Sequence, residues 1–251
     1  MIKLFRKNRQ KTLTENSPAE RADKFGKYLT YAIGEIILVV IGILIALQIN
    51  TWNENRKSNA ELQLIHQNLI QEFQANRDAL KEVLGAIAFT KNGTLENLKL
   101  IGLKEPKLSE EQLNRMIEKS LFFPTWKPSN FTLNQLKNTG KLSLLKNNTL
   151  KELLFKWETQ IEIIEEWNRR VEKSSQDIVD YLKIHGSLRN LNHKRIGTDV
   201  SNLEISNVGL FHDITFENLL DEKALYSQFM EHYFQDASVM IEEILKETNK
   251  Q

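Results

Sequence analysis

A run of 21 residues from Leu29 to Ile49, inside "YLTYAIGEIILVVIGILIALQINTW", constrains this chain more than any other feature. A helix rising 1.5 Å per residue covers about 30 Å over that length, the thickness of a hydrocarbon core. From Ile36 to Leu47 the run is uninterrupted for twelve residues, which argues against a buried helix of a soluble domain. Tyr28 and Tyr31 stand at one end and Trp52 at the other, where amphipathic rings favour the headgroup level. The apolar core is too long for a cleaved signal peptide, and "ALQINTWNEN" puts large residues where cleavage needs small ones. An uncleaved signal-anchor helix over residues 28–51 is expected, with the lipid bilayer as its first partner.

Charge sets the expected orientation. Residues 1–27 hold eight Lys/Arg against three acids, a net of +5, whereas only Arg56 and Lys57 fall in the twenty residues after the helix. The positive-inside rule then keeps the N-terminus in the cytoplasm and exports the rest, to a periplasm or the cell exterior if the source is bacterial. Ile2, Phe5 and Leu13 lie among the basic residues of the tail, which suits either a segment on an anionic inner leaflet or a disordered tail that only fixes topology. The whole chain carries +1 and the helix contributes Glu35, so residues 52–251 carry −3. A mildly acidic domain offers nucleic acid no basic face. Cysteine is absent, which excludes disulfides, thiolate nucleophiles and Cys-based zinc sites. In a eukaryotic secretory route Asn92, Asn130 and Asn147 would be glycosylation acceptors.

Glu35 is the one charge in the apolar run. Val39, Gly42 and Ala46 follow it at i+4, i+7 and i+11, so Glu35, Val39, Gly42 and Ala46 share one helical stripe containing a Gly-x-x-x-Ala pair. Small residues admit a second helix closely, and a carboxylate on that stripe could meet a polar partner there. Alternatively Glu35, about 10 Å past Tyr28 along the helix axis, is solvated near the cytoplasmic edge or protonated.

Beyond the membrane the pattern is helical. Proline occurs only at 18, 106, 124 and 128. Leu62, Ile65, Leu69, Phe73, Leu80, Val83 and Ile87 recur at steps of three and four, with Asn76 in the slot after Phe73, so the membrane helix is expected to continue, with a bend near "NENRKS". "SEEQ" at Ser109 is a capping box ahead of Leu113, Met116, Ile117 and Leu121. "FFPTWKPSNFT" reads as a rigid aromatic packing corner. A short helix ends at Gly140, and Asn147 or Asn148 caps the next, which carries Leu150, Leu153, Trp157, Ile161, Ile164, Trp167, Val171, Ile178 and Leu182. Residues 185–219 break the period and suggest short strand-like or irregular pieces. A last helix is expected from about Asp221 to Thr248, with Leu225, Phe229, Tyr233, Met240 and Ile244 inward. The expected fold is all-α, with one N-terminal transmembrane helix continuing into an extracytoplasmic antiparallel helical bundle over 52–251 with one irregular segment.

Catalytic motifs are missing: there is no G-x-S-x-G, no phosphate-cradling glycine loop and no H-E-x-x-H. Di-iron Glu-x-x-His pairs are absent, since Gln63 and Phe229 precede His66 and His232 by three. His185, His193 and His212, with Asp199 and Asp213, make a metal site conceivable, although loop histidines are usually only solvated. Glu165 and Glu166 read as a solvated face that Arg169 and Arg170 can pair with, and "HKR" at His193–Arg195 as an exposed loop or a partner patch. No catalytic residue, cofactor or metal is expected.

"GKYLTYAIGEIILVVIGILIALQINTWNENRK", followed by "LKNTGKLSLLKNNTLKELL", resembles an uncharacterised bacterial domain-of-unknown-function family of single-pass membrane proteins. The likeness is close in the first segment, including Gly34-Glu35 and the Trp52-Asn53-Glu54 exit, and looser across the remainder. It implies a membrane-anchored protein without an assigned activity and carries over no catalytic residues; the expected location is the bacterial inner membrane, with the orientation resting on the charge count above. The expected function is non-enzymatic: a sensor-like or scaffolding module whose bundle binds a ligand, a protein partner or a second copy. The alternative is an accessory subunit docked on a membrane complex through its transmembrane helix, and an enzyme comes third.

Overall fold

The computed structural model describes residues 18–104 and 107–250, with side-chain burial from Tyr28 onward. Among the described residues there are six α-helices, two short 3-10 helices and no strand. The first helix, α1, runs Pro18–Leu98 over 81 residues. Its opening proline suits a first turn, where the missing N–H has no intrahelical acceptor. Residues 1–17 of the basic tail lie outside the described residues, whereas 18–27 are already helical; the helix also continues through "NENRKS", where a bend is expected from sequence. The chain divides into two compact units, residues 1–61 and 62–251.

In the first unit α1 exposes its apolar side chains on every side, with Leu38 at 70% and Leu44 at 58% accessibility. By length and composition it is a helix able to cross a membrane.

The second unit is a four-armed bundle. Its first arm is α1 from Leu62. The second contains α2 (Glu110–Ser120), α3 (Phe131–Asn138) and a 3-10 turn at Lys141–Leu144; the third is α4 (Asn148–His185). A cap of α5 (Leu188–Ile196) and a second 3-10 turn (Asn207–His212) leads into the fourth arm, α6 (Ile214–Thr248). Hydrogen bonds fix the directions. The second arm descends α1, from Asn97–Ser120 (2.8 Å) to Glu72–Thr132 N–H (2.9 Å). Arg77 and Lys91 pair with Glu242 (3.9 Å) and Glu231, and Asn147 and Gln160 reach Glu247 and Tyr233, so α6 runs antiparallel to both α1 and α4.

The seam of α1 explains the packing. Leu69, Phe73, Asn76, Leu80, Val83, Ile87, Thr90, Thr94 and Asn97 alternate steps of four and three, the 3.5-residue period of long packed helices. All are buried except Val83, which is half-buried. At mid-height Trp157 meets Phe73 (5.3 Å between ring centroids) and Trp126 (6.2 Å), and Trp126 meets Phe234 (5.9 Å), all edge-on, so one aromatic cluster joins all four arms. A second core, with Leu113, Ile117, Ile178, Leu182, Phe211 and Phe216, lies under the cap.

Capping follows the sequence closely. Ser109 and Gln112 form the expected box, Gly140 takes the left-handed conformation (φ 70°) after α3, and Asn147 rather than Asn148 caps α4 by accepting from Leu150 N–H at 3.1 Å. Other expectations need correction. The segment 185–219 is largely helical, and "HKR" sits in the last turn of α5, not in a loop. The last helix starts at Ile214, where Asp213 accepts from Thr215 N–H at 2.6 Å and so caps a turn that sequence pattern alone does not mark. Its inward face is Phe216, Leu220, Lys223, Ala224, Ser227, Met230, Phe234, Ala237, Ile241 and Ile244, while Leu225 (49%) and Phe229 (42%) are exposed. Tyr233 and Met240 are only half-buried.

Candidate functional site

The second arm is helical at both ends but not in the middle. Residues 122–130 leave helical geometry because Pro124 and Pro128 lack N–H donors and push the residues before them toward extended backbone. Such a break strands backbone groups inside a bundle, where they need partners. Side chains of the flanking helices supply them. Asn76 on α1 donates to the Ser129 carbonyl (2.9 Å) and accepts the Ser129 N–H (2.8 Å). Asn168 on α4 brackets Trp126 in the same way, donating to its carbonyl at 2.7 Å and accepting its N–H at 3.3 Å. Glu72 caps α3 from a distance in sequence, accepting from Thr132 N–H (2.9 Å), Phe131 N–H (2.5 Å) and the Ser129 hydroxyl (2.5 Å). The Ser175 hydroxyl lies 3.1 Å from the Val171 carbonyl and 3.4 Å from that of Phe122.

Ser175 Oγ also accepts from Lys223 Nζ, whose other bond is to the Val171 carbonyl at 3.2 Å. Lys223 is fully buried, and among the described residues no carboxylate pairs with it. Burial alone pushes its pKa down to about 7. A near-neutral amine beside a serine hydroxyl is the chemistry of an activated nucleophile. Ser175 is only 1% exposed, however, so no substrate reaches it, and the pair is a buried polar contact between α4 and α6.

Phe122 also lines a cleft of about 630 Å3 between α1, the end of α2, the break and α5. Its walls are mainly apolar: Ala86 and Phe89 from α1, and Phe122 and Phe123 from the break. Phe89 and Phe122 meet edge-on at 6.2 Å, and the Arg195 guanidinium lies 5.4 Å over the Phe122 ring while pairing with Glu118. Phe89, Phe122 and Phe123 remain 52%, 42% and 48% exposed, a contiguous aromatic surface left open by the bundle.

Glu35, Val39, Gly42 and Ala46 lie on one continuous helix at the spacing that gives them a common face, and all four are exposed. A Cβ placed on Gly34 or Gly42 would meet nothing within 4 Å, so that face is open to a neighbour. The histidines of 185–213 do not converge. His185 stacks on Tyr181 (4.4 Å between centroids), His193 Nδ1 lies 3.0 Å from the Asn190 carbonyl, and no cluster of three metal-ligating side chains forms among the described residues. Glu166 pairs with both Arg169 and Arg170 at 2.7 Å, as a solvated face should, and the guanidiniums hold its carboxyl below the usual range. Sequence reasoning misses Asn168, Ser175, Lys223 and Phe89. The available signals were polar residues at seam positions of amphipathic helices and two prolines four residues apart.

A family of unknown function, DUF6090, matches residues 35–158, just under half of the chain. The match opens at Glu35, takes in the α1 seam, the break and "LKNTGKLSLLKNNTLKELL", and ends within α4. No curated protein and no solved structure matches the chain.

Proposed function

We propose that this is a single-pass protein of the bacterial cytoplasmic membrane, N-terminus inside, whose exported bundle binds a ligand or partner and performs no chemistry of its own. The span is supported by its exposed apolar side chains and the orientation by the +5 tail facing a −3 bundle. The observation that carries the binding reading is the aromatic cleft, since concave apolar sites with a few polar groups at the rim are the usual form of a binding site. Alkaline phosphatase fused after Gln251 is expected to be active, and a fluorescent protein that folds only in the cytoplasm to be dark there; the reverse pattern overturns the topology.

A second reading, an accessory subunit docked through the membrane helix, is favoured by the open stripe of Glu35, Val39, Gly42 and Ala46. One experiment separates the two. A photo-crosslinking amino acid at position 89 or position 39 is irradiated in living cells, and adducts are read as mass shifts. Adducts at 89 support the bundle as binding element, adducts at 39 alone support the docked subunit, and silence at both rejects both.

A further inference from the structure

Resting on the reading that the bundle binds at its cleft, we infer that the ligand is an uncharged small molecule with a ring-bearing apolar body and one neutral hydrogen-bonding group such as a hydroxyl or an amide. The cleft measures about 630 Å3 and takes only Ala86, Phe89 and Thr90 from α1, little more than one turn of lining, which is short for the i, i+3, i+4, i+7 face of a docked helix. The same volume is ordinary for a small-molecule site.

Charge narrows the class. Arg195 and Glu118 at the rim neutralise each other, and Lys119 is engaged with Glu96 at 3.2 Å and with the Phe89 ring at 5.8 Å. A carboxylate or ammonium entering here would shed water and find no unpaired counter-charge. The walls select for rings, because Phe89 and Phe122 already stand edge-on and half-exposed, offering both a face and an edge to a third ring.

The polar handle is Asn192. It lines the cleft from α5, is half-buried, and its carboxamide makes no hydrogen bond among the described residues, so a donor and an acceptor remain for a neutral group. Thr90, 1% exposed on the α1 wall, has a hydroxyl without a partner among the described residues, but that oxygen is sealed from the cleft, which leaves Asn192 as the accessible handle.

The test uses the full chain in lipid nanodiscs and three diazirine photoprobes on the same phenylpropyl body, ending in an alcohol, a carboxylate or an ammonium. Labelled peptides are mapped by mass spectrometry, with non-saturable labelling of the membrane helix as internal reference. Saturable labelling of residues 86–90 and 121–124 by the alcohol is expected, at least about tenfold stronger than by either ion, the equivalent of one 1.4 kcal/mol step. Ala86→Trp should abolish it; Ala86 is exposed, so the ring fills the cleft without entering the core, and an unchanged thermal melt verifies this. Asn192→Leu should weaken the alcohol severalfold. Labelling that survives Ala86→Trp overturns the site. A preference for either ion overturns the ligand class while leaving the bundle a binding module, and absence of saturable labelling by all three probes overturns both.

Discussion

Asn76, Asn168 and Asn207 each close two hydrogen bonds on the backbone of a single non-helical residue: Ser129, Trp126 and Ser187. Asparagine suits this because its amide copies the donor and acceptor of a peptide group. Leucine of similar size at 168 would leave the Trp126 N–H and carbonyl buried and unpaired, at about 1–3 kcal/mol each. Asn168→Leu is therefore expected to cost on the order of 3 kcal/mol in denaturant unfolding and to disturb the near-ultraviolet signal of the tryptophan cluster; retention of both would mean the bracket is dispensable. Lys223 has a pH signature. Its folded pKa of about 7 lies below the 10.5 of a free lysine, so the unfolded chain binds the extra proton between these values, and stability falls as pH drops from 10.5 toward 7. Lys223→Met should be more stable than the parent at pH 7, on the order of 3 kcal/mol, with a gap that shrinks by pH 9.5. A gap independent of pH would show that burial does not govern the amine.

At the scale of elements, helix ends were more legible than helix faces. Ser109, Gly140 and Asn147 announce their boundaries by local chemistry, and the α1 seam announces itself because Leu69, Phe73, Leu80 and Ile87 are large. On α6 the large residues mislead. Leu225 and Phe229 lie outside, with Phe229 and Tyr233 stacked on half-buried Trp167, whereas Lys223, Ser227 and Ala237 occupy the seam. Size and hydropathy point to one face while the packing of three neighbouring arms imposes another, shifted by about one residue. The cleft was illegible for a related reason: its residues come from α1, the break and α5, which only tertiary structure joins. Helix contact also separates two glycines of α1. A Cβ on Gly93 would lie 2.6 Å from Lys119 Cβ on α2, whereas one on Gly85 meets nothing within 4 Å. Gly93→Ala should destabilise by about 1–3 kcal/mol through overpacking. Gly85→Ala should stabilise by about 0.5–1 kcal/mol through helix propensity. Thermal melts of the two variants moving in the same direction would contradict the close approach of α1 and α2.

For the molecule as a whole, the proposed function assigns lipid to the first unit and binding to the second, an assignment that charge placed in the apolar helix tests. Leu38→Arg together with Leu44→Arg places two charges among exposed apolar side chains, each opposing insertion by about 2.5–3.5 kcal/mol. The double variant is expected to leave the carbonate-resistant membrane fraction while its bundle keeps a cooperative melt, because residues 62–251 hold their own core. Simultaneous loss of membrane retention and of cooperative melting would tie the bundle's stability to the span. The broken arm finally sets a ruler for the bundle. Phe122 meets Phe89 and Ser129 meets Asn76, so seven residue steps of the break run alongside thirteen of α1, as expected of a chain more drawn out than a helix. Each residue deleted there shortens that side nearly twice as much as a deletion in α2 or α3, and no helical turn can be unwound within the stretch to make up the loss.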